Sequence, residues 1–323
     1  MGTLDRDMVS EYAPGKAILL GEHAVVYHRP AIAVPVTQVQ AQATIEPSKP
    51  GTGVLISAPD IDWSGRLSET AADNPLCVIV ASTLSRLHVG PCPDIAIRVT
   101  STIPMACGMG SGTALSVAIV RALSRYFGVS LSNEIISALT FEVEKIYHGT
   151  PSGIDNTVVT YQTPVYFVKG ESPEPVEVGT TFQLVIGDTG ICSPTHIAVG
   201  DVRQNWQRAP HKYEQIFDQI GEIVQTARRV IETGRPAALG PLMNANQELL
   251  QQIDVSCPEL ETLIDAARRA GASGAKLSGA GRGGNMIALV TDETKSSVEQ
   301  ALVSHGATRV ISTEVVRRVG VGQ

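Results

Sequence analysis

Gly108, Gly110 and Gly112 alternate with Met109, Ser111 and Thr113, and the run opens into an apolar-periodic stretch of Leu115, Ala118, Ile119, Ala122, Leu123 and Tyr126. Glycine lets the backbone approach a ligand closely and adopt positive φ. The first turn of a helix offers unpaired N–H groups at the positive end of its dipole. A glycine-rich loop running into a helix start is therefore an anion site, and a phosphate suits it. The stretch lacks Gly-x-x-x-x-Gly-Lys-Ser/Thr and also the full Gly-x-Gly-x-x-Gly, so it is neither the common P-loop nor a dinucleotide fingerprint. A plain glycine turn is the competing reading, and what accompanies the loop decides between them.

Five charged or titratable groups accompany it. Lys16, Glu22 and His23 interrupt the otherwise apolar Ala13-Pro14-Gly15-Lys16-Ala17-Ile18-Leu19-Leu20-Gly21-Glu22-His23-Ala24-Val25-Val26. Charges within buried strands need partners, because an unpaired buried charge is costly. An ordinary ion pair between strands would satisfy that need as well as a catalytic role would. Glu144 falls near the end of a predicted helix, where the dipole disfavours an anion, and so calls for a compensating cation. Asp155 follows in the turn His148-Gly149-Thr150-Pro151-Ser152-Gly153-Ile154-Asp155-Asn156.

The elements that would position these groups can be read from periodicity and punctuation. Pro14-Gly15 reads as a turn, and 17–20, 31–36 and 39–45 as strands. Residues 46–75 form an excursion rich in Pro and Gly, followed by a helix over 76–87 and an alternating strand over 95–101 that leads into the glycine loop. After the loop's helix, Ser132 can cap a second helix over 133–147. Val158, Val159 and 165–168 return to strand character. The Pro- and charge-rich 170–180 divides the chain into 1–175 and 176–323. Beyond it come a strand over 182–188, a polar loop over 189–195, and helical periodicity from Ile216 to Gly234. Helices over 237–252 and 258–270 follow, then a strand over 285–290, a helix over 294–305 and a closing strand over 308–316. Gly279–Gly284 does match Gly-x-Gly-x-x-Gly, but it runs into a strand rather than a helix, which excludes a dinucleotide site and favours a tight turn between strands.

The bulk composition sets limits. Of 323 residues, 43% are hydrophobic and 18% charged, which describes a globular chain with an ample, mostly aliphatic core. A net charge of −7 argues against a broad nucleic-acid surface. Five scattered cysteines without a C-x-x-C pair argue against disulfides or zinc and fit a reducing compartment. No signal segment or bilayer-length apolar run is evident, so a cytoplasmic location with no membrane partner is expected.

Taken together, Ala13–Val26, the Pro104–Ser111 loop and Lys276-Leu277-Ser278-Gly279-Ala280-Gly281 resemble the three ordered motifs of the GHMP small-molecule kinases. Gly21–Val26 and His148–Asn156 resemble the mevalonate-phosphorylating branch of that superfamily. The resemblance implies an α+β, two-domain GHMP kinase fold. Its N-terminal domain would be like the second domain of ribosomal protein S5, its C-terminal domain ferredoxin-like, and its active site in the cleft between them. It implies ATP and Mg2+ as cofactors and mevalonate, phosphorylated at its 5-hydroxyl, as the small-molecule substrate. Oligomeric state is left open, a homodimer included. By the same resemblance Gly108, Met109, Gly110, Ser111, Gly112 and Thr113 hold the ATP phosphates. Asp155 accepts the proton from the substrate hydroxyl, and Lys16 lies beside that hydroxyl. Glu144 binds magnesium, and Glu22, His23 and Thr195 line the substrate pocket.

Two departures from the family pattern bear on this. The family usually reads Gly-Leu-Gly-Ser-Ser-Ala-Ala, and its second serine, a magnesium ligand, is replaced here by Gly112; Ser111, Thr113 or a water could substitute. The family's Gly-Gly-Gly-Gly-Cys is broken by Arg282 and Asn285. Arg282 either reaches a phosphate, since a guanidinium suits that geometry, or points to solvent. A kinase for phosphomevalonate or a sugar, and a non-catalytic nucleotide-binding module, are the alternative functions.

Overall fold

The computed structural model describes residues 8–71, 73–90, 93–104, 108–148, 151–192 and 195–317. Residues 105–107 of the glycine loop, 149–150 of the turn before Asp155 and 193–194 before Thr195 lie outside them. By internal contacts the chain forms two compact units. One contains Met1–Gly15, Val39–Pro104 and Gly110–Gln162; the other contains Lys16–Gln38, Met105–Met109 and Thr163–Gln323. Strands β1 (Val9–Leu20) and β2 (Ala31–Pro47) contribute residues to both.

In the first unit, β3 (Val54–Ala58), β4 (Trp63–Arg66) and β5 (Ile95–Ser101) join the second half of β2 in the order β4-β3-β5-β2. β3 runs parallel to β5, and β5 is antiparallel to β2 with Ile97 opposite Ile45. Ile45, Ile56, Ile95, Ile97 and Val99 are buried at alternate positions, the period of two that places them on one face. Four helices complete the unit: α1 (Pro75–Arg86), α2 (Ser111–Tyr126), α3 (Asn133–His148) and α4 (Ile154–Tyr161). α2 packs against α1, α3, α4 and β5. Val117, Ala118, Ile119, Val120, Ala122 and Leu123 are all fully buried, so α2 is apolar most of the way round and forms the centre of the unit. Asn74 starts α1 by accepting hydrogen bonds from the N–H groups of Leu76 and Cys77.

In the second unit, β6 (Val165–Phe167) pairs with the first half of β2 and with β7 (Glu174–Pro175). A separate antiparallel sheet has the order β11-β8-β10-β9, from β8 (Phe182–Asp188), β9 (Gly274–Ser278), β10 (Asn285–Val290) and β11 (Arg309–Val315). The unit's helices are α5 (Thr195–Arg208), α6 (Pro210–Glu232), α7 (Leu239–Gln252), α8 (Pro258–Arg269) and α9 (Asp292–Ser304). α8 packs on β9 and β10, α9 on β8, β10 and β11, and α7 on β9. β9 is an edge strand, and α7 covers its open side with side-chain carbonyls. Asn244 accepts from the N–H of Ala275, and Gln247 accepts from the N–H of Leu277. Such capping satisfies buried backbone donors that would otherwise go unpaired.

Three sequence expectations are corrected here. Pro14 and Gly15 do not turn; both lie inside the buried part of β1. Val158 and Val159 are not in a strand but in α4, where burial against α2 and α3 overrides the β preference of the Val-Val-Thr run. α5 was unanticipated because it buries only Ala198 and Val202 among the residues that would mark its period. Gly279–Gly284 is the expected turn between strands, linking β9 to β10. A Cβ on Gly281, at φ +78, would lie 1.9 Å from the carbonyl oxygen of Val255, so only glycine fits there. Among the described residues no helix is long and apolar enough to cross a membrane.

Candidate active site

The glycine loop does not merely precede a helix. α2 begins at Ser111, directly after Gly110 in the left-handed region (φ +76), so Ser111, Gly112 and Thr113 occupy its first turn. There the backbone N–H groups have no partner within the helix, and the first turn carries no acidic residue of its own. Gly108 also has positive φ, and a Cβ built on it would meet nothing within 4 Å. The site thus presents an open glycine, then a helix start, as the phosphate reading requires.

Within the first unit this helix start meets an acid. Thr113 Oγ1 donates a 2.5 Å hydrogen bond to Glu144 Oε1, and both residues are buried. Ser111 Oγ instead lies 3.4 Å from Ser101 Oγ on β5. Glu144 is therefore delivered by α3 to the N-terminal turn of α2, a location favourable to a carboxylate even though it lies towards the unfavourable end of its own helix. Asp155 stands in the first turn of α4, after Gly153 at φ +96. It is the one partly exposed side chain between the buried Ile154 and the buried run Asn156–Thr160. Asn156 anchors that turn to α3, its Nδ2 donating to the carbonyl oxygen and the hydroxyl of Ser137.

The other predicted residues belong to the second unit. Lys16 is only 4% exposed, and its backbone N–H bonds the carbonyl oxygen of Met109 at 3.0 Å, which ties strand β1 to the glycine loop. Glu22 is completely buried and forms an ion pair with Lys276, whose Nζ also donates to the carbonyl oxygen of Leu277. Burial pushes the Glu22 carboxyl up and the Lys276 ammonium down, while their mutual attraction opposes both shifts. Lys16 adds a smaller opposing effect on Glu22, which places its charge in the same neighbourhood. His23 has φ 61, and its Nε2 is 2.9 Å from the carbonyl oxygen of Ala280. A carbonyl only accepts, so Nε2 carries the proton and Nδ1 is left as an acceptor. Burial lowers the His23 pKa to about 4, with the nearby Arg282 and Lys276 charges acting in the same direction. Thr195 is half-buried at the start of α5.

The depressed His23 pKa has a measurable consequence. The unfolded chain binds this proton below about pH 6.5 and the folded chain only below about 4. Stability is therefore full above pH 6.5 and falls as pH drops from 6.5 to 4, by roughly 3 kcal/mol in all. Urea unfolding across pH 4–7 is expected to show this loss in the wild type and not in His23→Gln.

Arg282 resolves one alternative. It holds φ 59, its guanidinium forms an ion pair with Asp201 on α5, and its Nε donates to the carbonyl oxygen of Asp254. The side chain neither runs freely into solvent nor is held for a phosphate; it fastens the glycine turn to α5. The residue that kept a phosphorylated acceptor open is thus engaged within the fold. Lys276, Asn246 and Asp201 had no assigned part in the sequence reading. Lys276 lay within a recognised motif, but its partner could be found only in space.

The chain's two halves match the models of the GHMP kinases N terminal domain, over residues 76–163, and GHMP kinases C terminal, over residues 226–308. This chain belongs to the GHMP kinase family and has its two-domain fold. Its relatives include the mevalonate kinase of Thermococcus sibiricus, 36% identical and covering 93% of this chain and 94% of that protein. The mevalonate kinase of Pyrococcus horikoshii is 37% identical, covering 86% and 87%. Among solved structures, L. major mevalonate kinase in complex with R-mevalonate superposes with a TM-score of 0.83 at 30% identity, covering 96% of this chain and 97% of that one. The chain is accordingly an ATP-using small-molecule kinase.

Proposed function

We propose that this protein transfers the terminal phosphoryl group of ATP to the 5-hydroxyl of mevalonate, giving 5-phosphomevalonate and ADP. The observation that carries the kinase chemistry is the contact between Glu144 and the first turn of α2 through Thr113. It supplies hard oxygen donors beside a phosphate-binding helix start. Magnesium is held by one or two carboxylates together with substrate phosphates rather than by an all-protein cage. The donor set therefore suits it, and Glu144 with Thr113, rather than Ser111, would hold the ion. Bound there, magnesium would neutralise phosphate charge during transfer. The choice of mevalonate is supported by the relatives, which are mevalonate kinases across most of their length.

In this reading the N–H groups of Gly108–Thr113 orient the phosphates. Asp155 accepts the proton of the attacking hydroxyl, and the Lys16 ammonium stabilises negative charge developing in the transition state. Glu22, His23 and Thr195 are the substrate side of the site. His23 Nδ1, fixed as an acceptor by the bond to Ala280, suits a hydroxyl donor. The test is a coupled ADP-release assay on the purified protein with ATP, magnesium and R-mevalonate. ADP formation that depends on mevalonate and not on phosphomevalonate or galactose is expected. Absence of mevalonate-dependent ADP in a preparation that binds ATP would overturn the substrate assignment.

A further inference from the structure

Both side chains of the Glu22–Lys276 salt bridge are at 0% exposure. Its members come from distant parts of the chain, the segment after β1 and the strand β9. Burying two charges costs more solvation than their attraction returns, and apolar residues of the same size commonly serve stability as well or better. The pair thus needs a reason other than stability, and the backbone beside it supplies one. Gly21 has φ +101, and a Cβ there would lie 2.5 Å from the Cα of Ala31. His23 has φ 61, a region few non-glycine residues occupy. Strained backbone of this kind persists only where surrounding contacts over-determine it.

Those contacts come from β9, its turn and α7. Ser278 Oγ accepts from the N–H of Ile18 and donates to the carbonyl oxygen of the same residue. Lys276 binds Glu22, the carbonyl oxygen of Ala280 binds His23, and Asn246 Oδ1 accepts from the N–H of Gly21. In this arrangement Glu22 uses Oε1 for Lys276, while its Oε2 is buried without a hydrogen-bond partner. A carboxylate oxygen in that condition is costly unless something else comes to it.

We propose that Lys276 is a positioning residue for substrate recognition: its ion pair with Glu22 holds the strained Gly21–His23 segment so that Glu22 Oε2 and His23 Nδ1 are presented to the alcohol substrate. This rests on the reading that Glu22 and His23 belong to the substrate side of the site. Lys276 itself touches no reacting atom in this account. Its effect is on geometry, and misplacement by about 1 Å is enough to cost on the order of a hundredfold in rate.

The test compares wild type, Lys276→Met, Glu22→Gln and the double variant Lys276→Met/Glu22→Gln. The double variant, with neither charge, is expected to melt closer to the wild type than Lys276→Met does, yet to keep a mevalonate KM raised roughly tenfold or more, with the ATP KM within about twofold. A folded double variant with a mevalonate KM within about twofold of the wild type would overturn the proposal. A second readout needs no substrate. Amide hydrogen exchange at Gly21–Val25 should quicken in Lys276→Met and in the double variant relative to β10, and unchanged exchange there would also overturn it. The wild-type arm separates the two readings. If the wild type uses a different alcohol, the mevalonate assignment fails, and the positioning role is judged by the same KM ratio on that alcohol and by the exchange rates.

Discussion

Asp155→Asn is expected to lower kcat by about a thousandfold, within the 10²–10⁴ range of a positioned general base, while leaving the protein folded and ATP binding intact. The substitution is nearly isosteric and sits in the first turn of α4, which its neighbours help to anchor: Asn156 bonds Ser137, and Thr157 Oγ1 bonds the carbonyl oxygen of Gly153. Losing one negative charge at a helix N-terminus costs about 0.3–1 kcal/mol, too little to unfold the unit. An amide cannot take up the hydroxyl proton at neutral pH, so the loss should appear in kcat rather than in KM for ATP. Single-turnover measurement of phosphoryl transfer checks it. A rate within tenfold of the wild type would remove Asp155 from the role of base.

Lys276→Met carries the largest expected effect on stability, a loss of about 3–5 kcal/mol at neutral pH. The methionine fills most of the volume, so the cost comes from the Glu22 carboxylate left buried without its counter-charge. The pH dependence is diagnostic. Burial already raises the Glu22 pKa, and removing Lys276 raises it further. A group whose folded pKa lies above its unfolded one favours the folded state at low pH and loses that contribution as pH rises. The deficit of Lys276→Met against the wild type should therefore be smaller at pH 5 than at pH 8, as read from urea unfolding at both values. Neutralising Glu22 as well should recover most of the loss at pH 8. A deficit independent of pH and not relieved by the second substitution would mean that packing, not charge, is responsible.

Much of the architecture was legible because local pattern and burial agree. The alternation of Ile95, Ile97 and Val99 marked β5, and the same three residues are buried in the structure. The helical period after the glycine loop marked α2, whose apolar positions form the centre of the first unit. Where pattern and burial part company the reading failed. α4 is a run of β-branched residues held as a helix by the helices around it. α5 is a long helix with little apolar face to announce it. The glycine-rich run was legible as a loop opening into a helix, but the helix begins within it, at Ser111, a boundary set by the left-handed Gly110 rather than by any apolar period.

By itself the sequence determined the inventory of chemistry: a glycine-rich helix start, an ammonium, two carboxylates in a helix-turn-helix stretch, and a second glycine turn late in the chain. Residue type and spacing suffice for that, because helix period, strand alternation and turn chemistry act over a few residues. Only the tertiary structure decided which group answers which. It joined Thr113 rather than Ser111 to Glu144, gave Glu22 to Lys276 and His23 to Ala280, and turned Arg282 to Asp201. Those choices depend on distances between atoms on separate elements and on how much water each group has lost, quantities that no local spacing encodes.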